Sequence, residues 1–66
     1  MKLQASKMQI AMANKLFNNE ALADEAGITP QTVMNAMNGK AIAVVTAGKI
    51  AKALGVDVAE IVKKED

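Results

Sequence analysis

Leu22-Ala23-Asp24-Glu25-Ala26-Gly27-Ile28-Thr29-Pro30-Gln31-Thr32-Val33-Met34-Asn35-Ala36-Met37-Asn38-Gly39 is the most informative run in the chain. Leu22 and Ala23 are apolar, whereas Asp24 and Glu25 belong in water, so the run opens as an amphipathic helix. Gly27 stands where that helix must stop, since glycine enters the left-handed region at little cost. Ile28 turns back toward a core. Thr29 suits the cap of a second helix, and Pro30 its first position, where a missing N–H is no loss. That helix carries Gln31, Thr32, Asn35 and Asn38, polar, uncharged and mostly outward. Two short helices joined by a tight turn form the arrangement that lets a helix lie in a DNA major groove.

Working outward, one device recurs along the chain. Phe17-Asn18 precedes Leu22, Ile28-Thr29 precedes Val33, Val45-Thr46 precedes Ile50, and Val56-Asp57 precedes Ile61. Each pairs a polar cap with an apolar residue before it that meets another one turn inside the helix. Glu60, three residues after Asp57, completes a capping box. Helices are therefore expected to start near 18, 29, 46 and 57, with Gly27, Gly39 and Gly55 as stops. An earlier helix, about Leu3 to Leu16, presents Met8, Ala11, Met12 and Lys15 along one stripe. No strand pattern appears, and Ala41 to Val45 is too short and isolated to build a sheet. The expected fold is all-α, a compact five-helix bundle. Residues 1–66 form one domain, with the two-helix unit at about 18–38 and a loose charged tail at 63–66.

The composition narrows the function classes. Sixty-six residues, 52% of them hydrophobic, allow a single core and a stability of a few kcal/mol. With Phe17 as the sole aromatic, that core is filled by Ala, Val, Ile, Leu and Met. The five methionines read as core filler: Met8, Met12 and Met37 look buried, Met34 exposed. The absence of cysteine removes disulfides and thiolate metal sites and suits a reducing cytoplasm. Lys2, Gln4, Lys7, Gln9, Asn14 and Lys15 interrupt the first sixteen residues, so no signal-peptide core is present, and no apolar run approaches the roughly 20 residues of a membrane span. Without His, Cys, Tyr or Trp, no nucleophile has a recognisable activator, so no catalytic residues are assigned. Glu20, Asp24 and Glu25 form a wet face rather than a metal site. Asn38-Gly39-Lys40 lacks the glycine spacing of a phosphate loop and is a helix end. No cofactor is expected.

From about Met8 to Ile61 the chain resembles the Cro-type (XRE-like) helix-turn-helix domain of the lambda-repressor-like proteins. The carrying residues are Leu22-Ala23, Ala26-Gly27-Ile28-Thr29, Thr32-Val33, Asn38-Gly39-Lys40 and Lys49-Ile50-Ala51-Lys52-Ala53-Leu54-Gly55-Val56. The resemblance implies a regulator of transcription that binds double-stranded operator DNA, usually as a homodimer. Small members often serve phages, prophages or mobile elements as repressors. It also implies site residues. Asn18 and Asn19, opening the second helix, would face a phosphate. Thr29 to Met37 would be the recognition helix. At about 100° per residue, with Val33 centred on the buried face, Gln31 and Asn35 point toward the groove. Both amides match adenine N6 and N7, while Met34 and the Thr32 methyl would meet a thymine methyl. Asn38 and Lys40 would hold phosphates. Outside this context, Gln31 and Asn35 would read simply as solvated residues.

The sequence departs from the family in three places. Where many relatives pair an arginine with a glutamate, this chain has Met12 and Met37, which are expected to touch. Where relatives have a serine-proline or basic loop, it has Ala41-Ile42-Ala43-Val44-Val45. It also has no arginine and a net charge of only +1, so a monomer should bind DNA weakly. The rival reading is a protein-interaction module on the same fold, an adaptor or antirepressor with Ile42, Val44 and Val45 as its sticky patch. Candidate dimer surfaces are Val44, Val45, Val58 and Val62. Salt separates the readings, because phosphate binding weakens steeply with salt and an apolar interface barely responds.

Overall fold

The computed structural model describes residues 1–64 and contains five helices: α1 (Ala5–Lys15), α2 (Asn19–Ala26), α3 (Pro30–Met37), α4 (Val44–Leu54) and α5 (Val58–Ile61). The all-α expectation holds. Three starts fall where the caps indicate. Asn18 Oδ1 accepts from Ala21 N at 2.8 Å, and Thr29 Oγ1 accepts from Thr32 N at 3.2 Å with Pro30 at the first position. Asp57 Oδ1 accepts from Ala59 N while Glu60 Oε2 accepts from Asp57 N, both at 2.9 Å.

The fourth start differs. α4 begins at Val44, its cap is Ala43, and no side chain satisfies the cap, so Thr46 is an interior residue. The cause lies outside the helix. Ile42 exchanges two backbone hydrogen bonds with Met1, donating to its carbonyl at 2.8 Å and accepting from its nitrogen at 2.9 Å. The chain leaves that anchor already aimed along α4, and the first helical bond, Ala47 N to Ala43 O, closes immediately.

Four helix ends share one geometry. After α2, Ile28 N donates to Ala23 O and Gly27 N to Asp24 O, the paired bonds of a Schellman ending. Gly39 and Gly55 end α3 and α4 in the same way. α1 does so with Leu16, a leucine at φ 58°. The residue after the left-handed position is Phe17, Ile28 or Val56 in three cases, and each packs against the core. The chain thus turns inward at these ends.

α2 packs against α3 and α4, and α1 and α5 close the other side. Met8, Leu22, Val33, Ile50 and Ile61 lie at the centre with Ala11, Met12, Ala23, Ala36, Ala47, Ala51 and Leu54. Small alanines let the helices approach within a body measuring 32 × 21 × 18 Å. The stripe expected on α1 is buried at Met8, Ala11 and Met12 but exposed at Lys15, and Met37 is half-buried rather than buried.

Residues 1–4 are not the first turn of α1. They form an extended strap in which Leu3, 1% exposed, makes an antiparallel bridge with Val62. Gln4 N donates to Ile61 O at 2.7 Å and Lys63 N to Lys2 O at 2.8 Å. The backbone of Lys63 is therefore tied down rather than part of a loose tail; Lys64 is exposed, and Glu65 and Asp66 of that expected tail lie outside the described residues. The apolar 41–45 run divides: Ile42 packs on the core, while Val44 and Val45 stay 68% and 70% exposed. Val58 and Val62 are half-buried against the core.

Candidate nucleic-acid interface

α3 is held by its own buried face. Val33 and Ala36 are fully buried, which fixes the rotation of the helix and turns Gln31 and Met34 outward. Met34 is 46% exposed, a large apolar side chain left in solvent on this face. Asn35 is half-buried beside them. Gln31 Nε2 donates to Asn35 Oδ1 at 3.1 Å, so the two amides stand as a linked pair one turn apart. The sequence carried a signal for this bond, because Gln and Asn four residues apart on a helix are neighbours.

Thr32 sits differently. It is half-buried, and its hydroxyl lies 2.9 Å from the Thr29 hydroxyl, at the cap of α3. Its polar atom is thereby engaged locally, and its methyl is the part left for an apolar contact.

Asn18 is exposed at the start of α2 with Oδ1 committed to the cap, which leaves its Nδ2 protons free to donate outward. Asn19, the first residue of α2, is half-buried. The first backbone N–H groups of α2 and its positive dipole end lie here, an arrangement that favours an anion. At the other end of α3, Asn38 and Lys40 are exposed on either side of Gly39.

Met12 and Met37 line one open groove of about 340 Å³ together with Gln9, Ala13, Phe17 and Asn19. The groove lies between α1, the end of α3 and the start of α2, with Met12, Ala13, Phe17 and Met37 as its apolar lining and Gln9 and Asn19 as its polar one. Lys49 and Lys52 of α4 line a second groove with Glu25 of α2. Glu25 thus shares that groove with two lysines. Lys7 shares a third groove with Glu60. Lys40, by contrast, follows the end of α3 directly.

The helix-turn-helix family model (HTH_3) matches residues 9–61, which include all of α2, α3 and the turn between them. The chain belongs to the helix-turn-helix family. It is of the XRE-like type, whose members are DNA-binding regulators of transcription. No curated protein matches it in sequence. Among solved structures, a mutant of hydroxyethylphosphonate dioxygenase contains a segment that superposes on the whole of this chain, with a TM-score of 0.85 at 18% identity. This chain spans 14% of that enzyme's length, so the likeness concerns the fold of one segment and carries no chemistry. Among the described residues, no helix of this chain is long and apolar enough to cross a membrane.

Proposed function

We propose that this helix-turn-helix protein is a small Cro-like repressor that reads a specific operator with α3. In this reading it acts in the cytoplasm as a two-fold homodimer, with its two recognition helices about 34 Å apart, one turn of DNA. The observation that carries the reading is the outward set on α3: Gln31 and Asn35 as a linked amide pair, with Met34 exposed beside them. Base edges in the major groove present both polar groups and thymine methyls, which a helix face of amides and a thioether can meet. Asn18, Asn19, Asn38 and Lys40 flank that set and take the role of phosphate contacts, setting register without reading sequence. A phage, prophage or mobile-element setting follows from the resemblance to Cro-type proteins.

An NMR titration of the labelled chain with mixed-sequence duplex DNA at two salt concentrations tests this. Salt-sensitive shifts centred on Asn19, Gln31, Thr32, Asn35 and Asn38 are expected. Gln31→Ala should relax sequence preference with helicity intact, whereas Lys40→Ala should weaken all duplexes alike and reduce the salt slope by about one. The rival, a protein-interaction module, draws on Val44 and Val45, two exposed valines side by side at the start of α4. Silent α3 amides, with concentration-dependent shifts confined to residues 42–45, would decide for it.

A further inference from the structure

We infer that Lys2 and Lys63, set opposite one another across the bridge of Leu3 with Val62, form a second anchor that grips DNA phosphates beside the recognition helix. The inference rests on α3 being the reading helix and extends its footprint. Both lysines lie outside residues 9–61, the part of the chain that the family model covers.

The first ground is register. Leu3 pairs with Val62, and the bonds from Gln4 N to Ile61 O and from Lys63 N to Lys2 O set Lys2 opposite Lys63. Side chains alternate along an extended segment. Leu3 is buried, so Lys2 points outward, and Lys63 is exposed next to half-buried Val62. Side chains directly opposite share a face, with Cβ atoms about 5 Å apart, and like charges there destabilise the pair. The backbone thus keeps two exposed lysine stems side by side, an arrangement that repels internally and that an anion bridging them relieves. Asp57 and Glu60, the acids shortly before Lys63, are held in the capping box of α5.

The second ground is place. Met1 exchanges two backbone hydrogen bonds with Ile42, whereas Lys2 and Gln4 bond to Lys63 and Ile61. The strap therefore runs between the loop after α3 and the exit of α5. Lys40, exposed at the end of α3, lies two residues before Ile42. Lys40, Lys2 and Lys63 follow one another across three adjacent segments, with paired backbones about 5 Å apart. Duplex DNA carries a charge every roughly 1.7 Å of its axis, so a row at this spacing meets a phosphate for each lysine. Lys7, Lys49 and Lys52 lie instead in grooves that hold a glutamate. A chain of net charge +1 attracts DNA only by gathering its lysines on one side, and this row does so.

Affinities of the full chain for a mixed-sequence duplex, measured across a series of salt concentrations, test the inference. Lys2→Gln and Lys63→Gln should each lower the slope of log affinity against log salt by about one, and the double variant by about two. The advantage of wild type over either single variant should shrink about 3- to 4-fold over a roughly fourfold rise in salt. Lys49→Gln should leave the slope unchanged. Lys2→Glu separates binding from structure, because it sets a carboxylate opposite Lys63. Its urea midpoint at low salt should hold or rise while every duplex binds more weakly. Equal slopes for wild type and both glutamine variants, with Lys40→Ala still lowering the slope, overturn the inference and leave DNA reading by α3 intact. An equal loss in Lys49→Gln also overturns it, assigning the effect to net charge. A wild type that binds no duplex, or binds it without regard to salt, overturns the DNA reading with it.

Discussion

Leu16 holds a left-handed conformation, φ 58°, at the end of α1 with 91% of its surface exposed. An L-residue there costs about 1–2 kcal/mol through its Cβ, and this side chain recovers little by packing. Leu16→Gly removes the clash, partly offset by the greater freedom glycine adds to the unfolded chain. The expected outcome is a net stabilisation of about 1 kcal/mol, seen as a higher urea midpoint with an unchanged slope; a lower midpoint would show that Leu16 has a packing role its exposure hides. This is also the residue scale at which the sequence was least legible. Gly27, Gly39 and Gly55 announce their turns because glycine favours the geometry, whereas a leucine that must adopt it leaves no trace in composition or spacing. Gln31 was legible as outward from the position of Val33 alone. Its bond to Asn35 needed both side-chain rotamers as well as the four-residue spacing.

α2 shows how a single cap serves both an element and the interface. Asn18 accepts from Ala21 N with Oδ1, and the cap makes no use of its Nδ2 protons. Asn18→Ala should therefore destabilise the domain by about 1 kcal/mol and also weaken DNA binding. Asn18→Asp separates the two roles. Aspartate caps as well as asparagine and favours the dipole end, so thermal stability should be kept or raised, yet its charge should repel phosphate and weaken every duplex several-fold. Equal DNA affinity for Asn18→Asp and wild type would remove Asn18 from the phosphate contacts. Caps of this kind made α2, α3 and α5 readable in advance. α4 was not, although Val45-Thr46-Ile50 has the same pattern, because its start is set by the hydrogen bonds of Ile42 with Met1. A contact between residues forty-one apart overrode a local signal that was otherwise well formed.

Across the whole molecule, the strap of residues 1–4 does what no local pattern indicates. A single bridge residue has no period, so Leu3 read as the first turn of a helix, and the family match itself begins only at residue 9. Yet Leu3 is as buried as Ile61, and its neighbours tie the start of the chain to Ile42 on one side and to Ile61 and Lys63 on the other. Those ties hold the loop after α3 and the exit of α5 to one another. Truncating a buried leucine costs about 2–5 kcal/mol. A domain of this length has roughly 3–10 kcal/mol in total, at about 0.05–0.15 kcal/mol per residue. Leu3→Ala should then leave a substantial fraction of the chain unfolded at room temperature, while Lys2→Ala, which alters only an exposed side chain, should shift stability by no more than about 0.5 kcal/mol. Urea titrations of the two variants measure this directly. DNA affinity of Leu3→Ala should fall only in proportion to its folded fraction and return when sulfate or sucrose restores folding. Should Leu3→Ala match wild type in midpoint, the strap is an appendage and the core closes without it.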